Sequence, residues 1–376
     1  MPPEAYSLPP DKLQRAIEYS HALYRLHFAS EIYAVVLLAA IILTGTSAKF
    51  RDFAMAASKR RFVQALVFVP LLLIANDLLY LPAHVYGQHL ELKFDQSIQS
   101  WPSWFWDWTK TELITLVCAV PLASLLYAVI RRSPRRWWLY FWLATLPIMG
   151  AVMYLEPMII EPMFYRFEPL AARHPDLVAE LEKLVGRSGL AIPPDRMFEM
   201  KASEKLNSLN AYVSGFGGSK RVVVWDTTLQ KLTTPETLFV FGHEMGHYVL
   251  NHIRNSLVVL ALALLALFWA GSHVVRWFVA EVADWTSLPV LLLIVAVAST
   301  LSEPVVNSYS RWQEHQADIY GLEITRGIVP RSAAAHSFQV MGEIGLDEPN
   351  PNAFIVFWLY SHPSTASRLE LAQSYR

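Results

Sequence analysis

Six stretches of this chain are apolar over nearly the width of a membrane, and the residues between the fourth and fifth follow a different pattern. A helix needs about 20 mostly apolar residues to cross roughly 30 Å of hydrocarbon. Segments 28–46 (FASEIYAVVLLAAIILTGT), 62–82, 111–130, 137–155, 255–271 with an extension toward Phe278, and 287–306 meet that requirement. They predict six spans. Residues 156–252 instead carry charges at helical spacing and short β-branched runs, which predicts a water-facing domain. In HPDLVAELEKLVGRSG (174–189), Leu177, Leu181, Leu184 and Val185 recur at i, i+4, i+7 and i+8, with Gly186 and Gly189 near the stop. That spacing predicts an amphipathic helix. RMFEM (196–200) reads as a strand, and NAYVSGF (210–216) and RVVVWDTT (221–228) as a hairpin joined through Gly217, Gly218, Ser219 and Lys220. A further helix opens at LTTPET, where Thr233 or Thr234 can cap, Pro235 suits the first turn and Glu236 completes a capping box. It is expected to continue through LFVFGHEMGHYVLNH to His252.

Composition agrees with membrane residence. The chain is 54% hydrophobic and only 17% charged, far from the mixture of a soluble domain. A formal charge of −1 leaves no basic stripe, so nucleic acid is not an expected partner. Cys118 is the single cysteine, which excludes an internal disulfide, a CxxC pair and a thiolate metal site. Any metal must be held by His and carboxylate. WPSWFWDW (101–108) and RRWWLYFW (135–142) place Trp and Tyr where chain meets lipid headgroups, although ordinary aromatic packing is the rival reading. A polar, Pro-containing segment precedes the first apolar run, so that run is expected to be retained rather than cleaved as a signal peptide.

The candidate chemistry lies in the motif helix. His243 and His247 stand four apart in HEMGH, on one helical face, so both imidazoles can point at one ion. Glu244 projects about 100° round from His243, beside the ion without ligating it, where a carboxylate can take a proton from water. Gly242 and Gly246 flank the histidines at about 1 kcal/mol each against Ala, which implies close approach by a neighbour. The competing reading is a tightly packed core helix whose histidines bond backbone. A third ligand is sought in NSYSRWQEHQADIYGLEI (307–324), where Asn307, Arg311, Glu314 and Asp318 form a polar stripe. Glu314 can ligate, and Asp318, one turn on, can accept the outer N–H of a ligating histidine. An exposed helix with an Arg311–Glu314 ion pair is the alternative, and His315 is a rival ligand about 100° off the stripe.

HEMGH, SRWQEHQAD and SHPSTASRL (361–369), preceded by NAYVSGF and KRVVVWDTTL, together resemble the integral-membrane zinc metalloproteases typified by the type I CAAX prenyl protease, with HtpX-type proteases as more distant relatives. The likeness runs from about Phe62 to Leu371 and takes in LKFDQS and IIEPMFYRFEPL. It implies a mainly α, polytopic helical membrane protein with a zincin-like α+β catalytic domain. The expected division is 1–155 with four spans, 156–254 with the sheet and HExxH helix, 255–306 with two spans, and 307–376 with the distal Glu and the SHPS segment. By resemblance one zinc ion would be held by His243, His247 and Glu314, with Glu244 as general base and Asp318 behind the ligands. His362 would donate to the developing oxyanion. Asn210, Ala211 and Tyr212 would lie along the substrate backbone. Arg311 and Arg368 would support the site. The implied substrate is a peptide or protein, with a prenylated C-terminal peptide as the particular class, and the lipid bilayer is the surrounding partner. General quality-control proteolysis of membrane proteins is the alternative function, and a non-catalytic scaffold with a structural metal a third.

Two departures from that family stand out. The eukaryotic relatives carry seven spans, and Glu161 occupies a position where they have a small residue. KFRDFAMAASKRR (49–61) and RRSPRR (131–136) are the richest short basic loops, and positive-inside weighting puts both in the cytoplasm and the catalytic segment outside. Family precedent puts that segment on the cytosolic side; the expectation adopted is the one from charge. Asp77, Glu112 and Glu303 fall within apolar spans. All three could line a hydrated cavity; for Glu112 and Glu303 a place at a span end is an equal alternative, and Asp77 is the better cavity candidate.

Overall fold

The computed structural model describes residues 6–215 and 219–375. Helices α1 (Pro10–Leu43), α2 (Thr46–Ala57), α3 (Arg61–Lys93), α4 (Trp101–Arg132) and α5 (Trp137–Leu155) come first, and α5 runs through a π-helical turn into the short α6 (Glu161–Phe164). The polar domain follows, with β1 (Phe167–Pro169), α7 (Pro175–Ser188), β2 (Met197–Met200), β3 (Ala211–Ser214), β4 (Arg221–Trp225), α8 (Asp226–Lys231) and α9 (Thr234–Val249). Then come α10 (His252–Val274), α11 (Ser287–Ile324), α12 (Arg331–Gly345), α13 (Ala353–Leu359) and α14 (Thr365–Ser374).

Among the described residues, six helices are long and apolar enough to cross a membrane, each at a place the hydropathy pattern marks. They overrun the apolar runs. α1 begins at Pro10 rather than near residue 28, and its Ala16, Tyr19 and Ala22 are buried in the same core as α7, α9 and the sheet. The N-terminal half of this span is therefore a packing element of the polar domain. α11 has 38 residues, and at 1.5 Å per residue it is about 57 Å long. The sixth span and the Glu314 stripe are thus one continuous helix, and the 306/307 boundary falls inside it. Segment 49–61, read as a basic loop, holds most of α2, whose Ala54 packs with Ala65, Phe68 and Trp285 in a second core.

The sheet runs β1-β2-β4-β3, with β2 and β4 parallel and the outer pairs antiparallel. Val222, Val223 and Val224 of the inner strand β4 are completely buried, which is why that segment reads as an unbroken β-branched run. The expected hairpin is present as β3 against β4, in register Ala211 with Val224. Its Gly217–Gly218 turn lies outside the described residues. The second strand stops at Trp225, earlier than read, because Asp226 turns to accept from Ser203 N at 2.9 Å and Ser203 Oγ at 2.6 Å and opens α8. α9 starts as its sequence predicts: Thr233 is the cap, and its N–H donates to Glu236 Oε2 at 2.6 Å. It ends sooner than expected, at Val249, because Asn251 adopts φ 60° and breaks the helix before His252.

Candidate metal centre

α9 and α11 supply the centre, and glycines set how closely they approach. A Cβ on Gly246 would stand 3.2 Å from Ala317 Cα, and one on Gly321 would stand 3.0 Å from the backbone nitrogen of His243. Side chains projecting from this seam converge. His243 Nε2 lies 3.2 Å from His247 Nε2 and 3.2 Å from Glu314 Oε2, while His247 Nε2 lies 3.4 Å from Glu314 Oε1. These are the groups that could hold a metal ion among the described residues. His315 is exposed and not among them.

The donor set fits zinc on its own terms. Ligand atoms at 2.0–2.1 Å from a tetrahedral ion stand about 3.3–3.4 Å apart, close to the three separations observed. Glu314 is buried, yet its Oε2 has no hydrogen-bond partner among the described residues, a costly state unless a cation answers it. His243 Nδ1 donates to Asp318 Oδ1 at 2.8 Å, which leaves Nε2 facing Glu314 as the atom a cation would take in place of a proton. Burial would lower the His243 pKa, but Asp318 and then Glu314 outweigh it and raise it to about 9. The carboxylates that attract a proton there also favour a divalent cation. Burial, reinforced by His243, lowers His247 to about 4, so that imidazole is neutral.

Around this trio the remaining residues take distinct places. Glu244 lies with Oε1 3.9 Å from His243 Nε2, and burial pushes its carboxyl up to about 7. Asp318 is fully enclosed and accepts from Arg368 Nη2 at 2.6 Å and Nε at 2.9 Å, a two-pronged grip from α14. Arg311 does not make the ion pair with Glu314 considered from sequence. It donates to the carbonyls of Val356, at 2.8 Å, and Tyr360, so it ties α11 to the segment that carries His362. His362 Nε2 is 3.4 Å from Glu314 Oε2, and its Nδ1 pairs with Ser361 Oγ at 2.9 Å.

The edge strand β3 runs beside the centre: Val213 lines a cleft of about 470 Å³ together with Glu244, His247 and Glu314. Trp225 N donates to Asn210 O at 3.1 Å, so by the alternation of an antiparallel pair Asn210 and Tyr212 turn their backbones toward β4. Ala211 and Val213 therefore turn theirs to the free edge. Tyr212 sends its hydroxyl to Glu161 Oε2 at 2.6 Å, and Arg221 pairs with the same carboxylate, so Glu161 is anchored behind the strand. Asp77 accepts from Trp108 Nε1 at 2.9 Å and Glu303 from Trp358 Nε1 at 3.0 Å; both acids are held inside the helical region rather than facing lipid.

Sequence reasoning passed over His252 and Gln316. His252 Nδ1 lies 3.1 Å from His247 Nδ1, and its Nε2 lies 3.1 Å from Gln316 Oε1. In an unbroken helix five residues turn about 500°, which would put His252 some 140° from His247. Asn251 was the available signal, since Asn is among the few residues that adopt the left-handed conformation readily.

Residues 171–376 match the sequence model of peptidase family M48, and residues 1–166 match that of the CAAX prenyl protease N-terminal region, described as five membrane helices. A Bacillus subtilis protein named as the uncharacterized metalloprotease YhfN is 34% identical, over 97% of this chain and 86% of its own. A CAAX prenyl protease 1 homolog of Oryza sativa is 26% identical over 96% and 86% respectively. The crystal structure of S. mikatae Ste24p superposes with a TM-score of 0.83 at 23% identity, covering 96% of this chain and 88% of that one, which places the two in one fold.

Proposed function

The chain belongs to peptidase family M48 and is an integral, multi-pass membrane metallopeptidase, and on that premise we propose that His243, His247 and Glu314 hold one zinc ion for peptide-bond hydrolysis. The observation that carries this reading is the buried Glu314 carboxylate: its Oε2, without a hydrogen-bond partner among the described residues, stands 3.2 Å from His243 Nε2, and its Oε1 stands 3.4 Å from His247 Nε2. Bound there, zinc supplies Lewis-acid polarisation of a carbonyl and acidification of water. Three protein ligands among the described residues, rather than the four of a structural site, would leave a position for substrate, which favours an enzyme over a scaffold.

The chain's own groups divide the remaining work. Glu244, with its pKa near neutrality, accepts a proton from the attacking water and later delivers it to the leaving amine. His362, with Ser361 able to donate to Nδ1, can present Nε2–H to the developing oxyanion. The outward groups of Ala211 and Val213 take an extended substrate backbone as an added strand, with the exposed Asn210 side chain and Tyr212 at its start. This makes the enzyme a gluzincin, HExxH with a distal glutamate. The names of relatives such as the Oryza sativa CAAX prenyl protease 1 homolog suggest a lipidated C-terminal peptide as substrate class.

Glu244→Gln tests the assignment, because it keeps the side chain's shape and removes the base. Purified protein carrying it should retain zinc while cleavage falls by about 10²–10⁴-fold, with wild-type cleavage sensitive to chelator and faster on prenylated than on plain peptide. Wild-type turnover in that variant would remove Glu244 from the mechanism. Equal rates on the two peptides would remove the prenyl preference.

A further inference from the structure

The two imidazoles of the centre are steadied by different partners. His243 has the buried carboxylate of Asp318, held in turn by Arg368. His247 has no such carboxylate among the described residues; its outer nitrogen faces His252, the first residue of α10, and His252 faces Gln316 of α11. We propose that His252 and Gln316 are positioning residues that fix the tautomer of His247 for zinc binding, an inference that rests on His247 being a zinc ligand.

Proton positions along the relay follow from donor and acceptor matching. Gln316 presents its amide oxygen, Oε1, to His252 Nε2 at 3.1 Å, and an oxygen can be answered only by N–H. His252 is thus protonated at Nε2 and carries its lone pair on Nδ1. That lone pair, 3.1 Å away, accepts from Nδ1–H of His247. The proton of neutral His247 is then on Nδ1, and the lone pair of Nε2 points at the Glu314–His243 side, where a cation would sit. Reversing the amide would reverse every step and put a proton on Nε2, in the way of the metal. Gln316 therefore sets the direction of the relay.

The arrangement is built in two independent ways. Left-handed Asn251 folds His252 back under His247. Gln313, one turn before Gln316 on α11, donates through Nε2 to the backbone oxygen of His252 at 3.3 Å and pins that turn to α11. His252 is 3% exposed, so water does not compete for its nitrogens.

The test is zinc affinity of the full chain in detergent, measured by competition with a chelator, alongside helix content and unfolding midpoint of the metal-free protein. His252→Asn places an amide oxygen where Nδ1 was, and Gln316→Glu keeps an acceptor in place of the amide; both should bind zinc close to wild type. His252→Leu and Gln316→Met fill the same space without the acceptor, and should weaken zinc by about 10–100-fold at unchanged midpoint. Wild-type affinity in His252→Leu, or equal weakening in His252→Asn and His252→Leu, would overturn the relay. Wild-type protein that takes up no zinc, in parallel with a Glu314→Ala control, would instead overturn the ligand assignment beneath it.

Discussion

Asp318 is the most enclosed charge at the centre, at 0% exposure, and three N–H groups from two residues answer its oxygens. Removing Arg368 leaves that carboxylate with His243 alone, in surroundings where solvent cannot substitute. Breaking a buried pair in this way costs about 3–5 kcal/mol, and the surviving His243 bond puts Arg368→Ala toward the lower end. The measurement is the unfolding midpoint in detergent, with zinc content on the same sample. Arg368→Lys should recover little of the loss, because a point charge cannot reproduce the two-pronged grip; full recovery would mean that only charge matters there. At this scale much of the centre is legible in the chain. His243, Glu244 and His247 share one helical motif, and Glu314 and Asp318 stand one turn apart on another. What sequence periodicity could not show is the partner of His247, since it assumes a continuous helix and Asn251 interrupts it. The role of Arg311 was illegible for a related reason: its acceptors are backbone carbonyls of Val356 and Tyr360, which have no sequence signature.

Between elements, the α9–α11 seam governs whether the ligands meet. Gly321→Ala would push a methyl to 3.0 Å from the backbone nitrogen of His243, a contact that neither helix can relieve by rotating a side chain. Overpacking of this kind costs about 1–3 kcal/mol, and because the two helices separate, zinc affinity should fall along with the midpoint. Retained affinity in Gly321→Ala would show that the seam has slack. The start of α9 carries a different dependence. Burial raises the Glu236 pKa, but the N–H of Thr233 and the side chain of His336 outweigh it and hold the carboxyl below its ordinary 4.5. A folded-state value below the unfolded one means that the cap stabilises fully above about 4.5 and is lost as pH falls through the folded value. Glu236→Gln should therefore lower the midpoint at neutral pH, by roughly the 1 kcal/mol of a cap, and flatten its decline below about 4.5. An unchanged acid limb would assign the decline to other groups. Span number and the β3–β4 pairing were readable from apolar runs and β-branched stretches. The ends of the spans were not, because α1 and α11 continue as amphipathic helices whose buried faces serve the polar domain, where hydropathy averages to nothing distinctive.

Across the whole molecule the six spans alternate between two ends. At one end are the metal centre and the first described residues, tied to α12 and the turn after it where Gln339 donates to Ser7 O at 2.8 Å and Tyr6 to Asp347 O at 3.1 Å. At the other lie the α2–α3, α4–α5 and α10–α11 connections, where Ala54, Ile130, Trp137 and Trp285 form a separate core. Arg60, Arg61, Arg131, Arg132, Arg135 and Arg136 flank the first two of these connections, and short loops beside spans are where positive charge directs orientation. Since every span is tied to its neighbours through one core or the other, orientation is a single choice for the whole chain. The charge argument puts the basic end in the cytoplasm and the metal centre outside. A reporter fused after Arg376 should then be active only if it functions outside the cytoplasm, and one inserted at Ser133 only if it functions inside. Replacing the four arginines of 131–136 by glutamine should weaken that preference, because the remaining bias comes from Lys49, Arg51, Lys59, Arg60, Arg61 and Arg276. A cytoplasm-dependent reporter that is active after Arg376 would place the centre on the cytosolic side and show that the long polar domain, whose translocation is indifferent to its charge, overrides the loops.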